Sequence, residues 1–159
     1  MPTQNPVGGN YFGFGASGAT GGTLEQTFDT DVGVTYIVTY WLTTQELAGD
    51  SLPLQQAYVE ARDGSGPGAN TLGSQLNLLT QAAGWFQGQS LTFTATTTST
   101  TLRFIDQTDA DLVGNAAFMV NWGLDNVAVD VATPEPGTYG MLALGLGALA
   151  LFRKRRLLH

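Results

Sequence analysis

Residues 34–42 read Val-Thr-Tyr-Ile-Val-Thr-Tyr-Trp-Leu, the strongest strand signal in the chain. Large apolar side chains recur there at every second position, namely Val34, Tyr36, Val38, Tyr40 and Leu42. Strict alternation of aromatic and β-branched residues predicts a β-strand with one face in a core. The other face carries Thr35, Ile37, Thr39 and Trp41. We expect Trp41 to be buried as well, since burial is the usual state of a tryptophan inside a strand.

Shorter segments with the same alternation lie on both sides of this strand. They span residues 23–28, 55–63, 74–80, 90–95, 101–106 and 124–131, and Gly, Asp, Ser and Thr bound them. No amphipathic helical pattern precedes residue 133. Strands spaced about 8–15 residues apart predict an all-β fold, an antiparallel β-sandwich or jelly roll, for residues 1–132.

The composition excludes several kinds of active site. The chain has 159 residues, no Cys and one His, which is the terminal His159. A disulfide scaffold, a Cys-ligated metal and a Cys nucleophile are therefore impossible. A Ser-His-Asp triad would need a terminal histidine, and no carboxylate pair is marked out by its spacing for glycoside hydrolysis. We predict that the protein is not an enzyme.

Charge is distributed unevenly along the chain. Of 13 acidic and 6 basic residues, residues 1–136 hold every acid but only Arg62 and Arg103 among the bases. An acidic body without a basic patch argues against nucleic-acid binding, which depends on Lys and Arg at phosphates. Divalent cations and neutral or cationic partners remain open.

The C-terminal region predicts a short transmembrane helix. Pro134-Glu135-Pro136 breaks regular structure, and residues 137–152, GTYGMLALGLGALALF, contain no charge. As a helix they would span roughly 24 Å, a little less than the ~30 Å hydrocarbon core of a bilayer. The basic tail Arg153-Lys154-Arg155-Arg156 follows. It would remain cytoplasmic while residues 1–132 are translocated.

This arrangement over residues 133–159 resembles the PEP-CTERM sorting signal of Gram-negative bacteria. Its parts are the Pro-Glu-Pro motif at 134–136, the apolar helix at 137–152 and the basic tail at 153–156. The resemblance implies processing by an exosortase, a membrane protease-transpeptidase. The helix would then hold the chain in the inner membrane only transiently. The body would reach the cell surface or the extracellular matrix, where such proteins accompany exopolysaccharide.

The N-terminus differs from that of an exported protein. Met1 is followed by PTQNPVGGNYFGFGASGATGG, which has neither a basic region nor an apolar stretch. We expect that the start was assigned too late or that the chain is a fragment. The alternative is that the tail serves as its own insertion signal.

Several stretches of the body are similar to galactose-binding-like jelly rolls, the fold of many carbohydrate-binding modules. They are NYFGFG at 10–15, GTLEQTF at 22–28, TYIVTYWL at 35–42, LTFTA at 91–95 and LDNV at 124–127. The resemblance implies a non-catalytic protein that binds glycan weakly. Two alternatives stay open: a purely structural surface protein without ligand, and a non-catalytic accessory domain of a secreted hydrolase.

Two tryptophans in polar sequence are candidate sugar-binding residues. Trp85 lies in the stretch 84–89, and Trp122 stands between Asn121 and Gly123. Sugar sites combine aromatic rings with polar groups that bind hydroxyls, a role suited to Asn121. The alternative for each tryptophan is burial in the core.

The resemblance also implies a structural Ca²⁺ site. In similar modules an acid at the start of the last strand, here Asp125, binds Ca²⁺ together with a carboxylate near the first strands. Glu25 is the partner to test, and hard oxygen ligands suit this ion. The alternative is that Asp125 caps a turn by accepting hydrogen bonds from backbone amides.

Overall fold

The computed structural model describes residues 9–14, 21–44, 55–79, 84–88, 90–108 and 122–132. Within these ranges the chain forms nine β-strands. They are β1 (Phe12–Phe14), β2 (Thr23–Asp29), β3 (Thr35–Thr44), β4 (Gln55–Arg62), β5 (Thr71–Leu79), β6 (Gly84–Gln87), β7 (Leu91–Thr94), β8 (Ser99–Asp106) and β9 (Trp122–Val131). The sorting signal at 133–159, with its predicted transmembrane helix, lies outside the described residues. In the part of the chain that is described, no helix is long and apolar enough to cross a membrane.

The strands form two sheets, and every strand pairing is antiparallel. The five-stranded sheet has the order β1-β9-β3-β6, and β7 also pairs with β3. The four-stranded sheet has the order β2-β8-β4-β5. The predicted all-β antiparallel sandwich is therefore confirmed, and the strand predicted from residues 34–42 pairs with three others in one sheet.

The core lies between the sheets and follows the predicted alternation. From β3, Val38, Tyr40 and Leu42 are fully buried. Ala57 and Val59 of β4 face them from the opposite sheet and are also fully buried. Burying a large apolar side chain contributes about 1.5–3 kcal/mol, which makes this inner layer the main source of stability.

A β-bulge in β9 keeps both halves of that strand directed at the core. Trp41 pairs with Asp125 but Thr39 pairs with Ala128, so β9 has one extra residue at this point. Asn126 supplies it in the left-handed region, at φ 49°, which Asn tolerates better than most residues. A strand without the bulge would turn one half of its apolar residues to the outside, because side chains alternate with period two.

Candidate functional site

The outer face of the five-stranded sheet carries three aromatic residues that are not part of the core, Tyr11, Trp41 and Trp85. Trp41 points to this side of β3, opposite to Tyr40 and Leu42, and is half-buried. The expectation that Trp41 lies in the core is therefore wrong, because only the inner face of each sheet meets the other sheet. Its ladder partners are Gln87 on β6 and Asp125 on β9.

Trp85 lies on the same face, opposite the residue of β3 two positions after Trp41. It is half-buried and pairs with Thr43. The ring of Tyr11 meets its indole edge-on, with centroids 5.3 Å apart and planes at 77°. Tyr11 itself is 52% exposed, so the pair presents apolar ring surface to solvent.

A glycine allows the ring of Tyr11 to pack closely against the sheet. A Cβ atom on Gly123 would stand 2.8 Å from Cγ2 of Thr43 and 2.9 Å from Cδ2 of Tyr11. Contacts that short are not tolerated, so any larger residue would displace the tyrosine ring. Thr43 is buried beneath these groups, and its hydroxyl donates a 2.9 Å hydrogen bond to the carbonyl oxygen of Gly84.

We call this surface the aromatic face and define it by Tyr11, Trp41, Trp85, Gln87 and Asp125. Its strands bring together residues from both ends of the described chain, since β1 and β9 lie beside β3 and β6. Asp125 is half-buried, and its Oδ2 atom is buried without a hydrogen-bond partner among the described residues. Partly exposed rings beside polar side chains form a surface that suits a sugar ring.

Trp122 is not on this face, which corrects its prediction as a sugar-binding residue. It is the first residue of β9 and is 1% exposed. Its indole stacks on Phe14 with centroids 3.9 Å apart and planes at 12°. Period two places Trp122 with the buried Leu124 on the inner side of the strand. Asn121, predicted to bind sugar hydroxyls, lies outside the described residues.

The two carboxylates predicted to share Ca²⁺ are not brought together. Glu25 is on β2 of the four-stranded sheet, where its Oε2 lies 3.2 Å from Nε of Arg103 on the outer side. Asp125 is on the outer side of the other sheet, so the core separates them. No group of three or more His, Asp or Glu side chains in the described ranges is placed to hold a metal ion.

The described arginines are engaged on the four-stranded sheet. Nη1 of Arg103 donates a 2.7 Å hydrogen bond to Oε1 of Glu60, a residue that is only 8% exposed. Nη2 of Arg62 donates a 2.7 Å hydrogen bond to the carbonyl oxygen of Ala69. Both side chains start from strands of that sheet. Within the described residues, the aromatic face therefore has one acidic group, Asp125, and no cation.

A cleft separate from the aromatic face is lined by residues of β2, β8 and β9. Its volume is about 250 Å³. It is lined mainly by apolar side chains, from Leu24, Glu25, Gln26, Leu102, Phe104 and Val127. The sequence patterns did not predict this cleft, because it arises from the spacing between strands of different sheets.

Comparison with known proteins defines the class of the fold and the nature of the tail. The β-sandwich resembles carbohydrate-binding modules. The structure described as "CBM4 structure and function" has 16% sequence identity and a TM-score of 0.51, and it covers 69% of this chain and 61% of that chain. At that identity the likeness shows the fold alone.

Residues 132–156 match the PEP-CTERM protein-sorting motif, which confirms the resemblance of the C-terminal region. The motif implies processing by exosortase, export and sorting to the cell surface.

Two further solved structures are similar. A CBM61 module in complex with β-1,4-galactotriose has 16% identity and a TM-score of 0.46, covering 69% of this chain and 62% of that chain. A family 16 carbohydrate-binding module has 13% identity and a TM-score of 0.49, covering 82% of each chain. This chain thus spans less than two thirds of the first two structures. Comparison with curated protein sequences gave no match.

Proposed function

We propose that this protein is a non-catalytic surface or matrix protein that binds glycan through its aromatic face and is associated with exopolysaccharide. The observation that supports this most is the outward position of Tyr11, Trp41 and Trp85 on one sheet, next to polar side chains. Rings held partly exposed by the backbone ladder stack on the apolar faces of sugars at little entropic cost.

The shape of the face favours an extended glycan bound weakly. The rings lie along a sheet surface, where Gly123 and the small Thr43 leave room for Tyr11 to pack close to the backbone. A sheet surface leaves one side of a bound sugar in solvent, so little of the ligand is desolvated. Modest affinity follows, because binding energy depends on fully desolvated contacts.

Delivery to the surface is the other half of the proposal. The PEP-CTERM motif at 132–156 supports insertion in the inner membrane, cleavage by exosortase near Pro134-Glu135-Pro136 and release of the body. The apolar helix at 137–152 and the basic residues 153–156 would hold the chain only until that step. This route would bring the body into contact with exosortase first and with surface glycans afterwards.

The test is calorimetric titration of the full-length chain with neutral oligosaccharides. We expect Trp85→Ala and Trp41→Ala each to weaken binding about tenfold, which is about 1.4 kcal/mol. Tyr58→Ala is the matched control, since Tyr58 is a half-buried aromatic on β4 of the other sheet. Binding that survives both tryptophan substitutions would exclude the aromatic face, and no binding at all would favour a purely structural role. Release of shorter sugars would contradict the non-catalytic role.

A further inference from the structure

We infer that the glycan recognised by the aromatic face carries free amino groups, and that Asp125 binds a sugar ammonium. This inference rests on the proposed function and adds the chemical class of the ligand. It is drawn from the charge of the face, from the position of Asp125 and from its buried oxygen, which no described residue binds.

The charge of the described residues favours a cationic ligand. Asp125 and Asp130 both belong to β9 and pair with the outward-facing Trp41 and Ile37. Both described arginines belong to the other sheet, where Arg103 is paired with two glutamates and Arg62 with a carbonyl oxygen. A polysaccharide rich in carboxylates or sulfates would find repulsion on this face and no counter-charge.

The position of Asp125 connects this charge to the aromatic rings. It is the ladder partner of Trp41 immediately before the bulge at Asn126. Directly opposed residues on one face of an antiparallel pair have Cβ atoms about 5 Å apart, so the side chains of Asp125 and Trp41 leave the sheet next to each other. Bulges are a common means of redirecting a side chain at a binding surface.

The buried oxygen of Asp125 has no hydrogen-bond partner among the described residues. Its Oδ2 atom is removed from solvent, and no described donor reaches it. Buried carboxylate oxygens are normally hydrogen-bonded, because an unpaired one loses its hydration without compensation. A ligand ammonium would approach the exposed side of this half-buried carboxylate, where its positive charge compensates the lost hydration, and it is also attracted to the faces of aromatic rings.

Asp125 is less suited to bind Ca²⁺ than to bind a sugar ammonium. Calcium takes six to eight oxygen ligands, usually with more than one carboxylate. Glu25, the predicted second ligand, is on the opposite outer side of the sandwich. The ammonium of an amino sugar needs only one carboxylate, which is what the face offers next to Trp41.

The experiment compares three β-1,4-linked hexasaccharides of equal length: glucosamine, N-acetylglucosamine and glucose. The full-length chain is titrated with each by calorimetry, at low and high salt and with EDTA present. We expect the glucosamine hexamer to bind about tenfold more tightly than the other two and to lose that advantage at high salt. Asp125→Asn should abolish the advantage, while Asp130→Asn, with the same change in charge, should keep most of it.

The outcomes separate this inference from the proposed function. If the three hexamers bind equally and Trp85→Ala weakens all of them, the face binds glycan but the amino-sugar inference is wrong. If both aspartate variants lose the advantage equally, general attraction to the acidic body explains it and Asp125 is not the site. If no hexamer binds, both proposals fail. Thermal unfolding of each variant verifies that the fold is retained.

Discussion

The ring of Tyr11 packs edge-on against the indole of Trp85, with centroids 5.3 Å apart, although the two residues come from opposite edges of the sheet. Tyr11 precedes β1, and Trp85 belongs to β6, with β9 and β3 between these strands. The contact spans the sheet because Gly123 on β9 has no side chain and Thr43 on β3 is small. One glycine therefore determines whether the two rings form a common surface.

The first prediction tests that glycine. Gly123→Ala places a methyl group against Thr43 and Tyr11, so we expect displacement of the Tyr11 ring and about a tenfold loss of glycan affinity. Gly13→Ala is the matched control, because Gly13 pairs with Gly123 on the same face and nothing lies within 4 Å of its added Cβ. Equal affinity of the two variants would show that the position of Tyr11 is not important for binding.

The second prediction concerns Trp122. Because it is 1% exposed and stacked on Phe14, Trp122→Ala should lower the free energy of unfolding by about 3–5 kcal/mol. Trp122→Phe keeps a ring against Phe14 and should cost clearly less. Urea denaturation measures both. A near-neutral Trp122→Ala that abolishes glycan binding would restore the sugar-binding role that the structure does not support.

A third prediction compares the two glutamates that share Arg103. The Glu60 side chain is 10% exposed and accepts the 2.7 Å hydrogen bond, whereas the Glu25 side chain is 56% exposed and lies 3.2 Å from Nε of Arg103. Arg103→Met leaves Glu60 buried without its cation and should destabilise the fold by about 1–3 kcal/mol. Glu25→Gln should change stability by less than about 1 kcal/mol, since exposed pairs are screened by solvent. Comparable effects of the two changes in urea denaturation would contradict this ranking.

The fourth prediction is a pH effect in the β4–β5 loop. Hydrogen bonds from the side chain and backbone amide of Asn70 lower the pKa of Asp63 below its ordinary value of 3.8. A lowered folded-state pKa contributes stability above the unfolded value, and that stability is lost as the pH falls through the folded value. Asn70→Ala should raise the Asp63 pKa toward 3.8, as followed by NMR titration of its carboxyl carbon. Ser65→Ala, in the same loop, should leave it unchanged.

The fifth prediction addresses sorting. Replacement of Pro134-Glu135-Pro136 by alanines should leave uncleaved protein in the inner membrane, because the processing site is lost while the apolar stretch and the basic tail remain. Cell fractionation and immunoblotting measure the distribution. Pro67→Ala, a proline in the loop before β5, should be processed and delivered normally. Normal delivery of the triple-alanine chain would contradict the proposed route.

Period-two patterns were sufficient to predict the longer strands and the inner face of the sandwich. Val38, Val59 and Phe93 are buried as their alternation requires. The strands β1 and β6 were not predicted, because β1 has only three residues and β6 has two adjacent aromatic residues instead of an alternation with polar ones. Because these two strands lie at the ends of the order β1-β9-β3-β6, the sequence did not show which residues flank the candidate site.

The aromatic face was predicted only in part, for reasons that concern single residues. Trp85 was expected to be available for binding, and it is half-buried on the outer side. Trp41 was assigned to the core although it alternates with Tyr40, because periodicity separates two faces without showing which of them is covered. Trp122 was predicted to bind sugar, and not to be buried, because the bulge at Asn126 interrupts the alternation that would have connected it to Val129.

The division of β3 into an inner and an outer face has a consequence for protein engineering. Positions 41, 85 and 125 lie outside the interior shared by the two sheets, so replacement there should disturb folding less than replacement of Val38, Tyr40 or Leu42. The outer face can therefore be redesigned for another ligand while the residues on the reverse of the same strand are kept.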